Sequence, residues 1–396
     1  MDFLIISLIK AAVVAFVLLT TLAYLQWIER KVIGHIQLRV GPYRVGPHGL
    51  LQPLADVVKL ITKEGVMPSH VNKFFYLLAP FLAVLLALIS IAVIPFGPEI
   101  KIGSVSTYMQ LTDLKIGILV VLAISSVGVY GVALGGWASN NKYSLLGGLR
   151  SSAQMISYEL PLALAIAAPL LLANTLSFRE MVQSQEGYWL GFIPRWNVFP
   201  EIVAFFVFLI AAFAETNRVP FDLPEAENEL VAGFHTEYSS MSFAAFFMAE
   251  YANMVTVTAV ATLLFLGGWQ PLFPAPYSDA IPILIFALAG VIAVFHGLQP
   301  ARRMDKFTLP AAGVVFLGIA AIFGLSLFVP VLKAILMALF WFCGKAGLLL
   351  FLFIWVRGTL PRFRYDQLMR FAWIVLFPLA MVNLLVTGLM VALTSK

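Results

Sequence analysis

The sequence has little charge and almost no cysteine for its length. Asp, Glu, Lys and Arg make up 11% of the 396 residues, and Cys343 is the single cysteine. One cysteine excludes a disulfide framework, and it excludes zinc or iron–sulfur clusters ligated by cysteines of this chain alone. There is also no glycine-rich strand-to-helix turn of the kind that binds nucleotides. If the protein takes part in electron transfer, another chain carries the electrons.

Apolar residues dominate instead. Hydrophobic residue types make up 61% of the chain and the mean hydropathy is +0.95, which indicates a membrane protein rather than a soluble domain. We predict an all-α polytopic membrane protein with about ten transmembrane helices. The apolar segments are residues 3–28, 74–96, 116–136, 160–176, 199–214, 242–267, 281–295, 309–329, 331–356 and 371–393. Segments 199–214 and 281–295 are short for a span, so they could be tilted or partly re-entrant.

The basic residues predict the orientation. With loops assigned to alternate sides of the membrane, most of the 25 Lys and Arg residues fall on one side. By the positive-inside rule that side is cytoplasmic, so we expect both termini outside. The first apolar segment lacks a basic n-region and a cleavage site, and we interpret it as a retained helix rather than a signal peptide.

An acid-rich stretch, residues 214–254, links two apolar segments and extends into the second. An ionisable residue at bilayer depth costs about 2.5–3.5 kcal/mol on insertion scales, so carboxylates there need partners, water or a function. The stretch therefore suggests a proton or ion route. A solvated acidic loop is the alternative for Glu225, Glu227, Glu229 and Glu237, but it explains Glu215 and Glu250 less well. The carboxylates are Glu215, Asp222, Glu225, Glu227, Glu229, Glu237 and Glu250.

The loop of residues 29–73 carries two Gly-Pro turns followed by an amphipathic helix. Gly41-Pro42 and Gly46-Pro47 interrupt regular structure, and apolar residues between 50 and 61 recur at helical spacing. Asp56, Lys59 and Lys63 share the polar face of this helix and can pair. An interfacial anchor explains the lysines well but explains the compact turn less well.

Two further ionisable residues lie at or inside apolar segments. Glu159 precedes Pro161 at the start of segment 160–176, where a carboxylate either caps the helix or belongs to a route. Lys345 lies in the middle of its segment, so it either pairs with a carboxylate, has a functional role or snorkels to the surface. The arginines of residues 357–370 satisfy the positive-inside rule and could also dock an acidic partner surface.

Four blocks of sequence together resemble one family. They read ERKVIGHIQLRVGPYRVGPHGLLQPLADVVKLITKE, GWASNNKYSLLGGLRSSAQMISYE, AETNRVPFDLPEAENELVAGFHTEYSS…FFMAEY and IWVRGTLPRFRYDQLM. In this order, and over nearly the whole chain, they resemble the H-type membrane component of bacterial NADH:quinone oxidoreductase, respiratory complex I, whose mitochondrial counterpart is subunit 1.

The resemblance implies a division of the chain. The family usually has eight spans, so two are extra, and we place them in residues 281–330, which are plain hydrophobic and look lipid-facing or partner-facing. Residues 1–280 would then form the membrane core, with quinone-chamber loops 29–73 and 215–240. Residues 331–396 would supply the C-terminal core helices.

The resemblance also implies a function. The chain would be a membrane subunit, without redox centres, of a proton-translocating NADH:quinone oxidoreductase in the bacterial cell inner membrane, with its large loops cytoplasmic. It would form part of the chamber for the substrate quinone. Its partners would be iron–sulfur quinone-site subunits, small membrane subunits and antiporter-like subunits; iron–sulfur clusters and flavin would belong to partner subunits. No metal site and no nucleic-acid partner is expected.

Site residues follow by position in the matching motifs. The residues implied at the chamber are Glu29, Arg30, Gln37, Arg39, Arg218, Phe221 and Asp222. The acidic path implied from the chamber comprises Asp56, Glu64, Glu159, Glu215, Glu225, Glu227, Glu229 and Glu250, to which we add Lys345 from its position within a span. Neighbouring carboxylates cannot all ionise at once, so we expect them to share protons.

Three alternatives remain at this point. A homologous subunit of a membrane-bound hydrogenase, or of another donor-driven complex, would share the Glu-rich loop. A stand-alone secondary transporter should show internal repeats with interrupted helices, and none is evident. A purely structural anchor would leave Glu159, Glu215, Glu250 and Lys345 as unexplained insertion costs.

Overall fold

The computed structural model describes residues 2–102, 105–222, 231–298 and 305–394. Almost all regular structure is helical, as expected where the bilayer offers no hydrogen-bond partners to the backbone. The helices are α1 (Asp2–Ile36), α2 (Gln52–Thr62), α3 (Lys73–Ile91), α4 (Gly117–Ala138), α5 (Lys142–Ala173), α6 (Phe178–Ser184), α7 (Ile202–Glu215), α8 (Ser240–Phe265), α9 (Tyr277–Leu298), α10 (Asp305–Ser326), α11 (Pro330–Thr359), α12 (Tyr365–Arg370) and α13 (Phe377–Thr394). Two short antiparallel pairs, β1 (Glu99–Ile102) with β2 (Val105–Tyr108) and β3 (Tyr188–Trp189) with β4 (Ile193–Pro194), lie between helices.

A helix is found at each of the ten predicted spans, and one of these helices is short. Within the described residues, nine helices are long and apolar enough to cross a membrane, the last being the continuous run Tyr365–Thr394. The tenth, α7, has 14 residues and is about 21 Å long, less than the roughly 30 Å of a hydrocarbon core. The other segment that looked short is α9, a helix of 22 residues.

Helix α5 begins well before the predicted span. It starts at Lys142, where the Asn141 side chain accepts a hydrogen bond from the Tyr143 N–H at 2.9 Å. Residues 137–157, which lie between two predicted spans and were expected to be a loop on the cytoplasmic side, are therefore helical except at residues 139–141, so that expectation is wrong. The interpretation of Glu159 as a helix-start cap is also wrong, because Glu159 lies in mid-helix. The first half of α5 is polar and rich in glycine. Its buried glycines and serines pack against protein rather than lipid, so hydropathy does not detect it.

The core lies where α5, α7 and α8 pack together, with α1, α3, α4, α11 and α13 around them. Small residues on α7 permit this close packing, since Ala204, Ala211, Ala212 and Ala214 are almost fully buried. Tyr158 of α5 is also fully buried and donates a hydrogen bond to the Leu368 carbonyl at 2.9 Å. The short helix α7 thus buries part of its surface against longer helices, while Ile202, Val203 and Phe206 are exposed. The residues that flank it, Glu201 and Thr216, are both buried.

Helices α9 and α10, which cover the segment predicted to be extra, form a close antiparallel hairpin. A Cβ on Gly297 would lie 2.4 Å from the Pro310 ring, so only glycine permits this approach. The Phe286 ring lies 5.6 Å from that of Phe323 and 6.0 Å from that of Phe340 on α11. The hairpin therefore packs against the core through α11.

Candidate functional site

A buried ionic cluster joins three distant parts of the chain around Glu29, which is on α1 and is 4% exposed. Arg218, in the segment after α7, has its Nη1 3.7 Å from Glu29 Oε1. Arg357 of α11 also donates a hydrogen bond from its Nη1 to this oxygen. The hydroxyl of Tyr251 on α8 donates to the other oxygen, Oε2, at 2.9 Å. Glu29 is thus held by two cations and one neutral donor.

Arg218 links this cluster to a second carboxylate. Its Nη2 lies 4.0 Å from Glu250 Oε2, and its guanidinium lies over the Tyr251 ring at 4.2 Å. Arg218 is 5% exposed, so its charge is stabilised by protein groups rather than by bulk water. Since Glu29 and Glu250 share Arg218, a change in the charge of one carboxylate alters the electrostatic environment of the other.

An internal cavity of about 80 Å³ continues from Glu250 between α3, α4, α5, α7 and α8. Glu250 and Glu215 both line it, together with Ser125, Asn253 and apolar side chains. A water molecule needs roughly 10–15 Å³ of such space and two to four polar partners, so the cavity is large enough for several waters. Glu250 and Glu215 therefore face the same internal space.

Two consecutive serines of α4 bind the next two carboxylates. Ser125 hydrogen-bonds Glu215, and the Ser126 hydroxyl donates to Glu159 Oε1. Glu159 lies close enough to Glu215 for a direct electrostatic interaction. The described residues thus form an ordered series from Glu29 and Arg218, through Glu250 and the cavity, to Glu215 and Glu159. We call these five residues the carboxylate series.

The C-terminal segment holds the predicted chamber residues that follow Arg218. Arg362 Nη2 lies 2.8 Å from Asp222 Oδ2, and the Phe363 N–H donates to the Pro220 carbonyl at 3.1 Å. Phe221 is buried, with its ring 5.4 Å from that of Tyr158. Arg357 and Arg362, considered above as docking residues for a partner, thus make ion pairs within the chain.

Residues 37–52, part of the predicted chamber loop 29–73 and called the chamber loop from here on, form an open surface cavity. It is about 590 Å³ in volume and is lined by Val40, Gly41, Pro42, Tyr43, Arg44 and Gln52. At its edge, Arg39 Nε donates to Gln37 Oε1 at 2.8 Å. Amphipathic helix α2, predicted from spacing, is confirmed, and its apolar side chains are exposed.

Asp56 and Glu64 lie on the chamber-loop side of the cluster. Asp56 pairs with Arg30 at 3.0 Å and with Lys59 at 3.4 Å, so the predicted pairing along the polar face of α2 is confirmed for Lys59. Arg30 follows Glu29 on α1 and is the nearest link to the cluster. Glu64 is exposed beyond the end of α2. Glu225, Glu227 and Glu229 lie outside the described residues.

Lys345 is not brought to the carboxylate series. Its Nζ donates to the carbonyls of Leu266, Gly268 and Gln270 at 2.6–2.7 Å, and it lies 4.3 Å from the centre of the Trp196 ring. These carbonyls belong to the turn after α8, at the opposite end of that helix from Ser240. A cation there satisfies the carbonyls of a helix C-terminus.

Sequence reasoning missed several residues, three of them in the site and one, Glu201, at the other end of α7. Tyr251, Ser125 and Ser126 are neutral, and within apolar segments they carry no signal of their own. Glu201, which precedes α7, is 1% exposed and accepts hydrogen bonds from Asn383 at 2.7 Å and Thr387 at 2.6 Å. The position of Glu201 directly before an apolar run was the sequence signal that could have indicated a buried carboxylate. Among the described residues, no group of three or more His, Cys, Asp or Glu could hold a metal ion.

Known proteins of similar sequence identify the family. A family model described as NADH dehydrogenase matches residues 9–388. The first of the H-type NADH-quinone oxidoreductase subunits of Solibacter usitatus is 66% identical, over 100% of this chain and 99% of the relative. The chain belongs to the H-type family of NADH-quinone oxidoreductase subunits. The second H-type subunit of Koribacter versatilis is 50% identical over 99% and 98% of the two chains, and that of Geobacter metallireducens 45% over 99% and 97%. The family assignment makes the chain a membrane subunit that works with other subunits of such a complex.

Proposed function

We propose that this subunit forms part of the quinone chamber and couples quinone reduction to proton translocation through the carboxylate series. The observation that carries the proposal is the cavity lined by both Glu250 and Glu215. It connects a carboxylate that shares Arg218 with Glu29 to a carboxylate beside Glu159. Buried carboxylates joined by water-sized space can exchange protons, whereas isolated ones cannot.

The chamber loop has the chemistry that a quinone needs. Tyr43, Arg44 and Gln52 offer hydrogen-bond donors toward the open cavity, and such donors can bind the two carbonyl oxygens of a quinone head. The exposed apolar face of α2 lies beside it and suits an isoprenoid tail entering from lipid. Arg39 and Gln37 lie at the edge of the same loop.

Coupling would begin with charge at the chamber. Reduction of a quinone to a quinol takes up two electrons and two protons, so the electrostatic potential around the bound head changes during the reaction. Asp222 and Phe221 lie in the same segment as Arg218, and Arg362 fixes Asp222 from outside that segment. A change felt by this segment reaches Arg218, and through it Glu29 and Glu250. Protons then redistribute through the cavity toward Glu215 and Glu159.

The remaining parts of the proposal concern the assembly. Iron–sulfur subunits supply the electrons at the chamber, and small membrane subunits and antiporter-like subunits continue the proton path. Both termini face outside and the chamber loop faces the cytoplasm of a bacterial cell, in line with the distribution of basic residues. Lys345 is left out of the path because it binds carbonyls at the other end of α8.

Purification of the tagged chain from its native membrane tests the proposal. In mild detergent we expect it to carry iron–sulfur subunits, a flavin-bearing NADH module and antiporter-like subunits, and the assembly should reduce a short-chain quinone with NADH. Reconstituted into vesicles, it should acidify one side during turnover. A hydrogenase module in place of the NADH module, or a chain that purifies alone, would contradict the proposal.

A further inference from the structure

The α9–α10 hairpin contacts the chamber loop at His48. The His48 Nε2 lies 2.7 Å from Thr308 Oγ1 and 3.4 Å from Asp305 Oδ1, both in the first turn of α10. His48 precedes Thr308 by 260 residues, so this contact depends on how the hairpin packs rather than on local sequence. The two extra helices thus reach the loop that lines the open cavity.

His48 also contacts a residue of the cavity wall. Its ring meets the Tyr43 ring edge-on, with centroids 5.4 Å apart, and Tyr43 lines the open cavity. His48 has φ = 53°, a left-handed conformation that a residue other than glycine keeps only where surrounding contacts stabilise it. The hydrogen bond to Thr308 and the approach to Asp305 are such contacts.

The hairpin is itself held firmly on the core. At the opposite end from His48, Lys333 Nζ lies 2.5 Å from Asp279 Oδ2. In its middle, Phe286 and Phe323 pack on Phe340 of α11. Helix α11 also carries Arg357, which binds Glu29. The hairpin is therefore held in place by α11, and its contact with His48 can position the chamber loop.

We propose that the α9–α10 hairpin is a strut for the chamber loop, and that His48 is a positioning residue whose hydrogen bond to Thr308 and contact with Asp305 hold Tyr43 in the cavity wall. The kinetic part of this inference rests on the proposed function, because the position of the loop affects turnover only if the loop lines the quinone chamber. The structural part does not depend on it.

Hydrogen exchange in the purified complex tests the strut directly. The test variant is Asp305→Asn with Thr308→Val, and the matched control is Asp279→Asn, which loses an ion pair at the other end of the hairpin. The reporters are the amides of Gly49, Leu50 and Leu51, which donate within the chamber loop at 3.0–3.3 Å. We expect about fivefold or faster exchange in the test variant and wild-type exchange in the control. Equal rates in the test variant and the wild type would overturn the inference.

Kinetics with a short-chain quinone test the role of His48. We expect the KM for quinone to rise about threefold or more in the test variant while kcat changes by less than about twofold, since position and not chemistry is lost. His48→Ala should raise the KM for quinone in the same way, and His48→Gln, which keeps a donor for Thr308, should show a smaller rise. Reduction of an artificial acceptor that bypasses the quinone site should be unchanged in all variants.

The two readouts separate two failures. Faster exchange with an unchanged KM would overturn the positioning role of His48 and the placing of this loop in the chamber, while leaving the strut. Unchanged exchange would overturn the strut and leave the chamber proposal standing. A rise in KM that is as large in Asp279→Asn would show a general defect of the hairpin and would overturn the assignment to His48.

Discussion

The two ends of helix α7 each carry a carboxylate, and the two are held in different ways. Glu201 precedes the helix and accepts hydrogen bonds from two fixed neutral donors, Asn383 and Thr387. Glu215 ends the helix about 21 Å away, lines an internal cavity and lies near Glu159. Burial of charge alone therefore does not mark a proton site. In the proposed function, access to a shared polar space and to other carboxylates does.

The same contrast holds for the cations. Lys345 is satisfied by three carbonyls, all in the turn after α8, and by the indole ring of Trp196. Arg218 is shared between Glu29 and Glu250, which come from different helices. A charge satisfied by fixed dipoles stabilises a local structure. A charge shared by two ionisable groups makes each of them respond to the other.

The largest expected effect is at Glu215. Glu215→Gln removes the group that we propose exchanges protons but keeps its size and hydrogen-bonding ability, so we expect quinone-linked turnover to fall about 100-fold in an intact complex. NADH:quinone activity per assembled complex is the measurement. Glu201→Gln is the matched control and should stay near the wild-type rate. Full activity of assembled Glu215→Gln would contradict the distinction between the two ends of α7.

Lys345→Met should act on stability rather than turnover. It leaves three carbonyls without their charged donor, and we expect a loss of about 2 kcal/mol of stability. Thermal inactivation of the complex measures this loss. The control is Lys333→Met, which removes the same charge from the α11 lysine that pairs with Asp279 of the hairpin. Turnover per intact complex should remain unchanged. Loss of turnover without loss of thermal stability would return Lys345 to the proton path.

His235 is a third kind of buried ionisable group, and it should make the stability of the protein depend on pH. Burial among the rings of Phe234, Phe243 and Phe247 lowers the pKa of His235 to about 4. The imidazole is neutral when folded but protonates near pH 6.5 when unfolded, so its contribution is complete above pH 6.5 and is lost as pH falls toward 4. The loss should be on the order of 1–2 kcal/mol at pH 5. The thermal midpoint of His235→Phe should therefore fall less than that of the wild type between pH 7 and pH 5; equal falls would contradict this.

The smallest effect is expected at Tyr251. Tyr251→Phe removes one neutral hydrogen bond to Glu29 while both arginines remain, so turnover should fall only several-fold, corresponding to about 1 kcal/mol. Quinone-linked activity measured beside Tyr238→Phe, a buried tyrosine outside the series, gives the comparison. A loss as large as that of Glu215→Gln would mean that Tyr251 itself transfers protons.

The fold was largely predictable because spans that face lipid must be apolar along their whole length. Helix α5 was the exception, since its first half is buried against protein and can be polar. Helix α9 was predicted for residues 281–295 but runs from Tyr277 to Leu298. Charged and polar residues at both ends lower the hydropathy there. Helices α9 and α10 were predicted from their hydropathy, but their contact with His48 was not, because it depends on packing.

The candidate site was predictable in its charges but not in its connections. Glu215, Glu250 and Arg218 are conspicuous because ionisable residues are rare beside apolar runs. The contact of Arg357 with Glu29 joins residues 328 positions apart, and no local spacing encodes it. The cavity and the serines that bind Glu215 and Glu159 likewise arise only when α4, α5 and α7 pack together.

Redox-induced infrared difference spectroscopy of the purified complex tests the central claim most directly. Reduction of the quinone should change a protonated-carboxyl C=O band, and that band should be absent from Glu215→Gln and present in Glu201→Gln. This result would show that the carboxylate beside the cavity exchanges a proton in response to quinone reduction and the fixed one does not. The same carboxyl bands in both variants, or a band lost only in Glu201→Gln, would contradict the account.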